Sequence, residues 1–543
     1  MSDRMFSLLD RYFAEFLADV SGLAGPVKER FYHLAARVSA ALEDGHSCLP
    51  LTDEEIDFLA GNPLISDGGR TPLVLHNRRL YLHRYFQYES RLAEKIRDMA
   101  GISIESSNDN AMLGRYFDHP GPGPDWQREA AKVALARSLT IICGGPGTGK
   151  TTTVAKILAL LHESGGQRDL TMALAAPTGK AAMRLSEAMS TSIARLNLPE
   201  GIQKALPTSA CTLHRLLGVR RGSPQFRHNH DNPLGWDVVV VDEASMVDLA
   251  MMSKLVDAIK PGARLILLGD KDQLASVESG AVLGDCIRGL PENTVELRET
   301  YRFDTDIQQL ASTINGADAT AAWGLLTSAS PVSRILPAED LIGYISAAYA
   351  RFMALVNSRL ESMEIHQIFK QFHSFRVLCA LHYGNHGVDA INRQVELALL
   401  RRGFPCRPEA WYPGRPVLIT VNDYGLDLYN GDIGICLPSP ENGELQVWFQ
   451  GSDGGLRRYP PSRLADCKTV FAMTIHKSQG SEFDEVLVVL PEEDHRILSR
   501  ELIYTAVTRA KKEVRLVAGK EIFSLALSRN IERASGLADW LGK

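Results

Sequence analysis

The sequence predicts an α/β fold with two parallel-sheet domains, and three observations carry this prediction. The chain has 543 residues, more than one core supports, because single hydrophobic cores stop growing at about 250–300 residues. Short β-branched runs alternate with helical stretches in LTIIC from residue 139, TMALAA from 171, WDVVVVD from 236 and ARLILLGD from 263. The alternation returns in FRVLCAL from 375, KTVFAMT from 468, EVLVVL from 485 and EVRLVAG from 513. Near-continuous apolar strands separated by helices indicate parallel sheets covered on both faces.

Two further regions flank and interrupt these sheets. Up to about residue 110 the pattern predicts helices with a short β segment, and the Pro- and Gly-rich DHPGPGPDW from 118 predicts a linker. Between 411 and 465, closely spaced short strands and the hairpin pair Asn442-Gly443 predict a small inserted β-barrel. We therefore expect an N-terminal domain at 1–112, a first sheet domain at 113–300 and a second at 301–543, with the barrel inserted at 411–465.

Composition excludes several classes of protein. Hydrophobic residues at 45% and charged residues at 23% are ordinary globular values. The net charge of −6 means that a nucleic-acid partner would need a local positive groove. The eight cysteines are scattered without a C-x-x-C pair, which fits a reducing cytoplasm and neither a zinc ribbon nor a disulfide framework. No apolar run approaches the roughly 18 residues of a membrane span. His46, Cys48, His76 and His83 are too dispersed to predict a metal site.

The strongest chemical motif is GGPGTGKTTT at 144–153. It follows a predicted strand and opens a predicted helix, the context of a P-loop. Glycines let backbone N–H groups face phosphates, Lys150 reaches the β- and γ-phosphates, and Thr151 holds Mg²⁺. The predicted nucleotide contacts are Gly145, Gly147, Thr148, Gly149, Lys150, Thr151 and Thr152.

Two acids follow a buried strand about ninety residues later, in VVVVDEAS. We expect Asp242 to orient Mg²⁺ and Glu243 to polarise the attacking water, as phosphoryl transfer to water requires. A kinase does not need the second acid, and no N-K-x-D stretch is present to read guanine. The pair therefore favours an ATP hydrolase.

Further stretches match, in order, the motifs of superfamily 1 helicases. DWQREAAKVAL from 125 resembles the adenine-reading Q motif, AAPTGKAAMRL from 175 motif Ia, TLHRLLG from 212 motif Ib, and LGDKDQLASVESGAVLGD from 268 motif III. LRETYRF from 297 resembles motif IV, TIHKSQGSEFDEVLVVL from 474 motif V, and YTAVTRAKKEVRLV from 504 motif VI. Within that superfamily, the chain most closely resembles the RecD family, the alpha subunits of bacterial RecBCD. This resemblance rests on the segments GGPGTGKTTT, APTGKAA, CTLHRLLG, VVDEASMVD, LYNGDIGI and MTIHKSQGSEFD.

The resemblance implies a fold, an activity and partners. It implies two RecA-like domains, an SH3-like inserted barrel and an N-terminal domain that docks on a RecC-like subunit in a heterotrimer with a RecB-like subunit. It implies ATP- and Mg²⁺-dependent 5′-to-3′ DNA unwinding at double-strand ends during recombinational repair. No acidic cluster has the spacing of a two-metal nuclease.

The resemblance also assigns roles to single residues. Gln273 and two arginines, Arg302 and Arg509, are expected at the γ-phosphate, where a guanidinium suits developing charge. Gln127 reads adenine, Tyr301 either stacks on it or packs in the core, and Glu482 contacts ribose or couples the domains. Expected DNA contacts are Pro177, Thr178, Lys180, Thr212, His214, Thr474, His476, Lys477 and Ser478.

Several alternatives stay open at the level of sequence. The strand-separating hairpin lies either in RLNLPEGIQKALPTSA from 195 or in RRGSPQFRHNHDNPLG from 220. An autonomous RecD-type helicase is one rival, although it has a longer N-terminal architecture with helix-hairpin-helix elements. A regulatory subunit whose ATP site gates assembly without translocation is another.

Overall fold

The N-terminal region of the computed structural model is mainly helical. The structure describes residues 6–104, 110–117, 124–165, 170–220, 222–299, 305–328, 332–357, 362–423, 425–451 and 455–542. Ser7 caps the first helix and shares a capping box with Asp10, and Asn77 and Arg78 take the left-handed φ values of a tight hairpin turn. The elements are α1 (Leu8–Val20), α2 (Gly25–Glu43), β1 (Leu49–Pro50), α3 (Asp53–Leu59), β2 (Ile65–Ser66), β3 (Leu73–His76), β4 (Arg79–Leu82), α4 (His83–Gly101) and α5 (Asn110–Tyr116).

The first large sheet is parallel throughout, with strand order β10-β5-β9-β8-β6-β7. Its strands β5 and β8 are buried at every residue, as LTIIC and VVVV predict. The elements are α6 (Trp126–Ala136), β5 (Leu139–Cys143), α7 (Lys150–Ser164), β6 (Met172–Ala176), α8 (Gly179–Arg195), α9 (Glu200–Ala205), β7 (Ala210–Thr212), α10 (Leu213–Leu217), β8 (Val238–Val241), α11 (Leu249–Ala258), β9 (Arg264–Gly269), α12 (Val282–Gly289) and β10 (Thr294–Glu296).

Helices cover both faces of this sheet. Successive strand residues alternate between two hydrophobic clusters, one shared with α6, α7 and α8 and the other with α4, α11 and α12. Leu92 of α4, before the predicted boundary at 112, belongs to the cluster on one face of the sheet. Leu113 of α5, directly after that boundary, belongs to the cluster on the other face. The N-terminal region is therefore packed directly onto the first sheet.

The second large sheet is also parallel, with strand order β11-β20-β19-β12-β18. Its residues share one extensive core with the surrounding helices. The elements are α13 (Thr305–Asn315), α14 (Ala319–Thr327), β11 (Ser333–Ile335), α15 (Leu341–Val356), α16 (Ser362–Ser374), β12 (Phe375–Cys379) and α17 (Val388–Arg401), then the insertion with β13 (Pro416–Ile419), β14 (Ile433–Pro438), β15 (Leu445–Gln450), β16 (Leu456–Tyr459) and β17 (Cys467–Thr469), then β18 (Ala472–Thr474), β19 (Phe483–Val489), α18 (Arg500–Val507), β20 (Ala510–Val517), α19 (Lys520–Ser528) and α20 (Leu537–Leu541).

The insertion is an antiparallel sheet with order β16-β15-β14-β13-β17 around its own small core. Gly443, with φ of 75°, lies in the predicted hairpin between β14 and β15. The two outer strands have no pairing with each other among the described residues, so an SH3-like barrel stays a prediction. KTVFAMT, predicted as one strand, divides into β17 of the insertion and β18 of the second sheet.

The predicted α/β fold class with two parallel sheets and a helical N-terminal region is confirmed; the domain boundaries stay predictions. No helix in the described ranges is long and apolar enough to cross a membrane. All eight cysteines are free thiols.

Candidate functional site

The P-loop lies between the end of β5 and the start of α7. Gly147 and Gly149 have φ of 80° and 83°, a region that favours glycine. The Lys150 ammonium donates to the carbonyls of Gly144 at 2.6 Å and Gly145 at 3.0 Å. Lys150 thus bonds to neutral acceptors of its own loop, which phosphate oxygens can replace with stronger, charge-assisted bonds.

The other predicted P-loop residues lie around this lysine. The Thr148 hydroxyl donates to the Gly145 carbonyl at 2.9 Å and tightens the turn. A Cβ on Gly145 would lie 3.2 Å from the hydroxyl of Tyr504, which belongs to α18 of the second sheet. Thr151 and Thr152 line the cleft. The phosphate loop therefore faces the second sheet unit directly.

Asp242 and Glu243 follow the buried valines of β8. The Glu243 N–H donates to the Asp242 carboxylate at 2.8 Å, and Glu243 has a left-handed φ of 52°, a conformation that is uncommon for a long side chain and concentrates at functional sites. Burial and the neighbouring charge of Glu243 raise the pKa of Asp242 to about 6, against the effect of Lys150. The structure brings both acids to the edge of the sheet that holds the P-loop.

Gln273 and Arg509 meet across the two sheet units. Arg509, 2% exposed, donates to the Gln273 side-chain oxygen at 2.7 Å and to the carbonyls of Thr505 and Ser481, both at 3.2 Å. The Gln273 amide donates to Asp270 at 3.0 Å. The predicted γ-phosphate sensor of the first sheet is thus in direct contact with the predicted arginine of the second.

The structure adds contacts that the sequence did not predict. Tyr504 donates to Asp270 at 3.1 Å, so the same carboxylate binds both units. Glu482 pairs with Arg184 of α8 at 2.5 Å and lies 3.6 Å from Lys511. Glu482 thus contacts the first unit, and both of its predicted roles stay predictions. Arg184 lies in the motif Ia helix, but no pattern in the sequence predicted its ion pair with Glu482 across the cleft.

These residues surround a cavity of about 570 Å³ between the two sheets, within the range of nucleotide-sized sites. Asp242, Glu243, Gln273, Glu482 and Arg509 line it beside the P-loop. Gln127 does not line this cavity: its side-chain oxygen accepts a bond from Lys156 of α7 at 3.5 Å. Tyr301 and Arg302 lie outside the described residues.

Three predicted DNA-contact threonines share one structural role. The Thr178, Thr212 and Thr474 hydroxyls accept bonds from the N–H groups three residues later, at 3.2, 3.2 and 3.3 Å. They therefore cap the turns that follow β6, β7 and β18, at the carboxyl edges of the two sheets. Pro177 is partly exposed in the first of these turns.

The remaining predicted DNA contacts differ in accessibility. His214 is exposed, whereas His476 and Lys477 are partly buried, and desolvation by the surrounding protein lowers the pKa of each. Burial, then Arg376, lowers the pKa of Lys180 to about 7. Ser478 corrects the prediction: it is fully buried, and its hydroxyl donates to the Ile475 carbonyl at 2.7 Å, so it shapes the turn rather than offering a surface contact.

The two hairpin candidates fold differently. The stretch from 195 contains the short helix α9. In the stretch from 220, Phe226 forms an antiparallel bridge with the preceding Val219, and Asn229 forms another with Asn232. The second stretch thus has a hairpin-like shape; its strand-separating role stays a prediction.

Comparisons with known proteins agree with this geometry. Family models match an AAA domain at residues 127–279, a UvrD-like helicase C-terminal domain at 469–517, and the N-terminal domain of RecBCD enzyme subunit RecD at 2–62. RecBCD enzyme subunit RecD of Mycolicibacterium smegmatis is 43% identical, over 90% of this chain and 86% of its own length. The same subunit of Haemophilus influenzae is 34% identical, over 99% and 98%. The ATP-dependent RecD2 DNA helicase of Deinococcus radiodurans is 33% identical over 84% of this chain but only 57% of its own length.

The fold and the site define a P-loop ATPase of helicase type, with its nucleotide cleft between two parallel sheets. Full-length similarity then fixes the family within that class. The chain belongs to the RecD family of RecBCD enzyme subunits. The chain covers a smaller share of the RecD2 helicase, 57%, than of the two RecD subunits, 86% and 98%.

Proposed function

We propose that this protein is an ATP-dependent 5′-to-3′ DNA helicase subunit of a RecBCD-type enzyme that processes DNA ends in the bacterial cytoplasm. The observation that carries the proposal is the contact between Gln273 and Arg509, which joins the two sheets at the phosphate end of the cleft. A ligand that binds between two units biases their separation, and its hydrolysis releases that bias. The 5′-to-3′ polarity rests on family resemblance.

The donor set fits MgATP. Thr151 and Asp242 line the same cleft, and a buried carboxylate with a raised pKa is well suited to a cation. The bound Mg²⁺ would neutralise charge on the phosphates. Lys150 and Arg509 would bind phosphate oxygens from opposite sides, and Glu243 would accept a proton from the attacking water.

Single-stranded DNA would follow the carboxyl edges of the two sheets. The turns capped by Thr178, Thr212 and Thr474 present backbone N–H groups and hydroxyls, which suit phosphates. His214 and His476 occupy equivalent T-x-H positions on the two sheets. We expect one strand to cross both units, so that cleft closure moves one unit along it.

The test compares duplexes that carry a 5′ or a 3′ single-stranded tail. The assembly containing this chain should unwind 5′-tailed duplexes through its own motor, and Lys150→Ala should abolish that unwinding while sparing any 3′-tail activity of a partner. Unwinding from the 5′ tail that persists in K150A would reduce this chain to an auxiliary or scaffold role. A chain that purifies as an active, processive monomer would support the autonomous alternative.

Partner docking is assigned to an exposed stripe on α1. Leu9, Tyr12, Phe16 and Val20 are 54–68% exposed and recur at helical spacing, whereas Ala14, Leu17 and Ala18 bury the opposite face. Exposed apolar stripes of this kind mark interaction surfaces. The stripe lies inside the stretch that matches the RecD N-terminal domain, and we expect a RecC-like subunit to cover it, with a RecB-like subunit completing the heterotrimer.

Acidic substitutions on this apolar stripe provide the test. Leu9→Asp combined with Phe16→Asp should release the chain from its partners in co-purification while leaving ATP turnover dependent on Lys150. Tyr383→Asp is the control, since this tyrosine is 77% exposed on the second sheet unit. Unchanged assembly by the α1 variant would refute the docking surface.

A further inference from the structure

The C-terminal segment at 529–542 joins three parts of the molecule. Its Arg529 side chain pairs with Asp494 of the second unit at 2.6 and 2.7 Å. Its helix α20 buries Leu537 and Leu541 in the core of the first sheet. Between these anchors the segment passes the N-terminal region, where the Ala534 N–H donates to His46 at 2.8 Å.

Arg533 lies at the centre of this crossing. Its guanidinium donates to the carbonyls of Ser276 at 2.5 Å, Glu278 at 2.8 Å and Gly280 at 2.9 Å. These carbonyls belong to the loop that begins directly after Gln273, which we call the 274–280 loop. Burial lowers the pKa of Arg533. A charged side chain with carbonyl partners on a single loop is suited to fixing the shape of that loop.

The N-terminal region also packs against the Arg533 guanidinium. A Cβ on Gly45, which has φ of +84°, would lie 2.7 Å from the Arg533 guanidinium carbon. Gly280 N–H donates to the Gly45 carbonyl at 2.9 Å, and the Ser279 hydroxyl donates to the Leu42 carbonyl at 3.1 Å. The far end of the 274–280 loop is therefore held by two separate segments of the chain.

The near end of the loop is held by the second sheet unit. Leu274 N–H donates to the Thr505 hydroxyl, and the Gln479 amide donates to the Leu274 carbonyl, both at 2.9 Å. Arg533 also lies near His476: burial, then the Arg533 charge, lowers the pKa of that histidine. The loop thus spans from the nucleotide cleft to the turn that we expect to contact DNA.

We infer that Arg533 is a positioning residue that holds the 274–280 loop so that the Gln273–Arg509 contact in the cleft is coupled to the DNA-contact turn at 474–477. This inference rests on the proposed helicase function and adds a residue outside the helicase motifs. Without the guanidinium the loop keeps its anchor on the second unit and its two bonds to the N-terminal region, and it loses the three carbonyl contacts that fix the shape of its far end. DNA should then stimulate ATP turnover less, while ATP binding is preserved.

The test compares Arg533→Gln, Arg533→Lys and the control Arg529→Gln in the assembly. The ATP turnover that Lys150→Ala removes is taken as the contribution of this chain. Arg533→Gln should lower oligo(dT)-stimulated kcat about tenfold or more, because small misplacements of catalytic groups have large effects. The KM for ATP and turnover without DNA should change less than about twofold. Arg533→Lys should recover most of the stimulation, since an ammonium can donate to the same carbonyls, and Arg529→Gln should behave like the parent.

The outcomes separate this inference from the function on which it rests. If oligo(dT) does not stimulate the Lys150-dependent ATP turnover of the parent assembly, this contradicts the proposed function, and the role of Arg533 with it. Normal stimulation of Arg533→Gln beside a stimulated parent would overturn the role of Arg533 alone. An equal loss of stimulated and DNA-free turnover, without recovery in Arg533→Lys, would also overturn it by showing a general structural defect.

Discussion

The two walls of the nucleotide cleft are built in different ways. The first wall presents one continuous loop, 144–152, between a buried strand and the start of a helix. The second wall contributes single side chains from separate segments, among them Glu482 and Arg509. A loop whose atoms all belong to one turn is preorganised, whereas side chains on another unit reach the phosphates only when the units are close. From this comparison we expect the first wall to bind the nucleotide and hydrolysis to require both walls.

The cations of the two walls also differ in their partners. Lys150 donates to carbonyls of its own loop, while Arg509 donates to Gln273 on the opposite wall. Replacing the lysine therefore damages binding within one unit. Replacing the arginine damages contact between the units, and the predictions below use this distinction.

The largest effect is expected for Lys150→Ala. Removing a preorganised charge from the phosphates should lower ATP turnover by about a hundredfold to a thousandfold and weaken ATP binding. Steady-state ATPase assays and nucleotide titration check both quantities. Lys132→Ala, which removes an exposed lysine paired with Glu129, is the control. A K150A variant that binds ATP normally would contradict the division of labour between the walls.

Arg509→Ala should have the next largest effect and a different signature. We expect kcat to fall about tenfold to a hundredfold, because the arginine stabilises charge in the transition state, with little change in the affinity for ATP. Lys512→Ala, on β20 three residues after Arg509 and paired with Asp484 at the surface, should match the parent. Loss of ATP binding in Arg509→Ala would mean that the second wall also carries ground-state affinity.

A small effect is expected at the ion pair between the walls. Arg184→Gln should raise the KM for ATP by less than about fivefold with kcat unchanged, because a partly exposed pair contributes about 0–1 kcal/mol. The double variant with Glu482→Gln should be no worse than Glu482→Gln alone, since Arg184→Gln then removes no further interaction. Additive losses would show that the two residues act on ATP separately.

The smallest effect concerns stability and pH. Burial and Asp270 raise the pKa of Asp272, in the first sheet unit beside Gln273, to about 6. Because the folded-state pKa exceeds the unfolded value, charged Asp272 destabilises the folded state above pH 6, and the penalty disappears as the pH falls towards 4. Asp272→Asn should therefore raise Tm by a few degrees at pH 7.5 and by less near pH 4.

Asp237 serves as the control, because its pKa is shifted in the opposite direction to that of Asp272. A hydrogen bond from Lys260, with others from Thr171, lowers its pKa to about 2. Its stabilising contribution is present above the unfolded pKa near 4 and is lost as the pH falls through 2. Asp237→Asn should lower Tm at pH 7.5, and shifts of equal sign in the two variants would refute the electrostatic explanation.

The sequence predicted the first wall better than the second for a physical reason. The P-loop and the acids Asp242 and Glu243 depend on contacts within one strand and its following turn, so spacing alone locates them. Tyr504, Asp270 and Arg184 become functional candidates only when two sheets pack together. The strands β7, β10 and β11 have three residues each, too few for a periodic pattern.

Two other results depended on geometry. The resemblance to helicase motif V predicted Ser478 as a DNA contact, but in the turn after β18 its hydroxyl donates to the Ile475 carbonyl. The contacts of Arg533 with the 274–280 loop join residues more than 250 positions apart, and no local pattern marks such a pairing. Long-range placement, rather than residue type, was the information missing from the sequence.

The most direct test of the account measures the width of the cleft. Spin labels at Glu187→Cys on α8 and Lys512→Cys on β20, with the half-buried Cys211 and Cys467 changed to Ser, would report the distance between the walls by pulsed electron paramagnetic resonance. Adding a non-hydrolysable ATP analogue with Mg²⁺ should shorten this distance in the parent and leave it unchanged in K150A. An identical distance distribution with and without nucleotide would contradict the claim that ATP draws the two walls together.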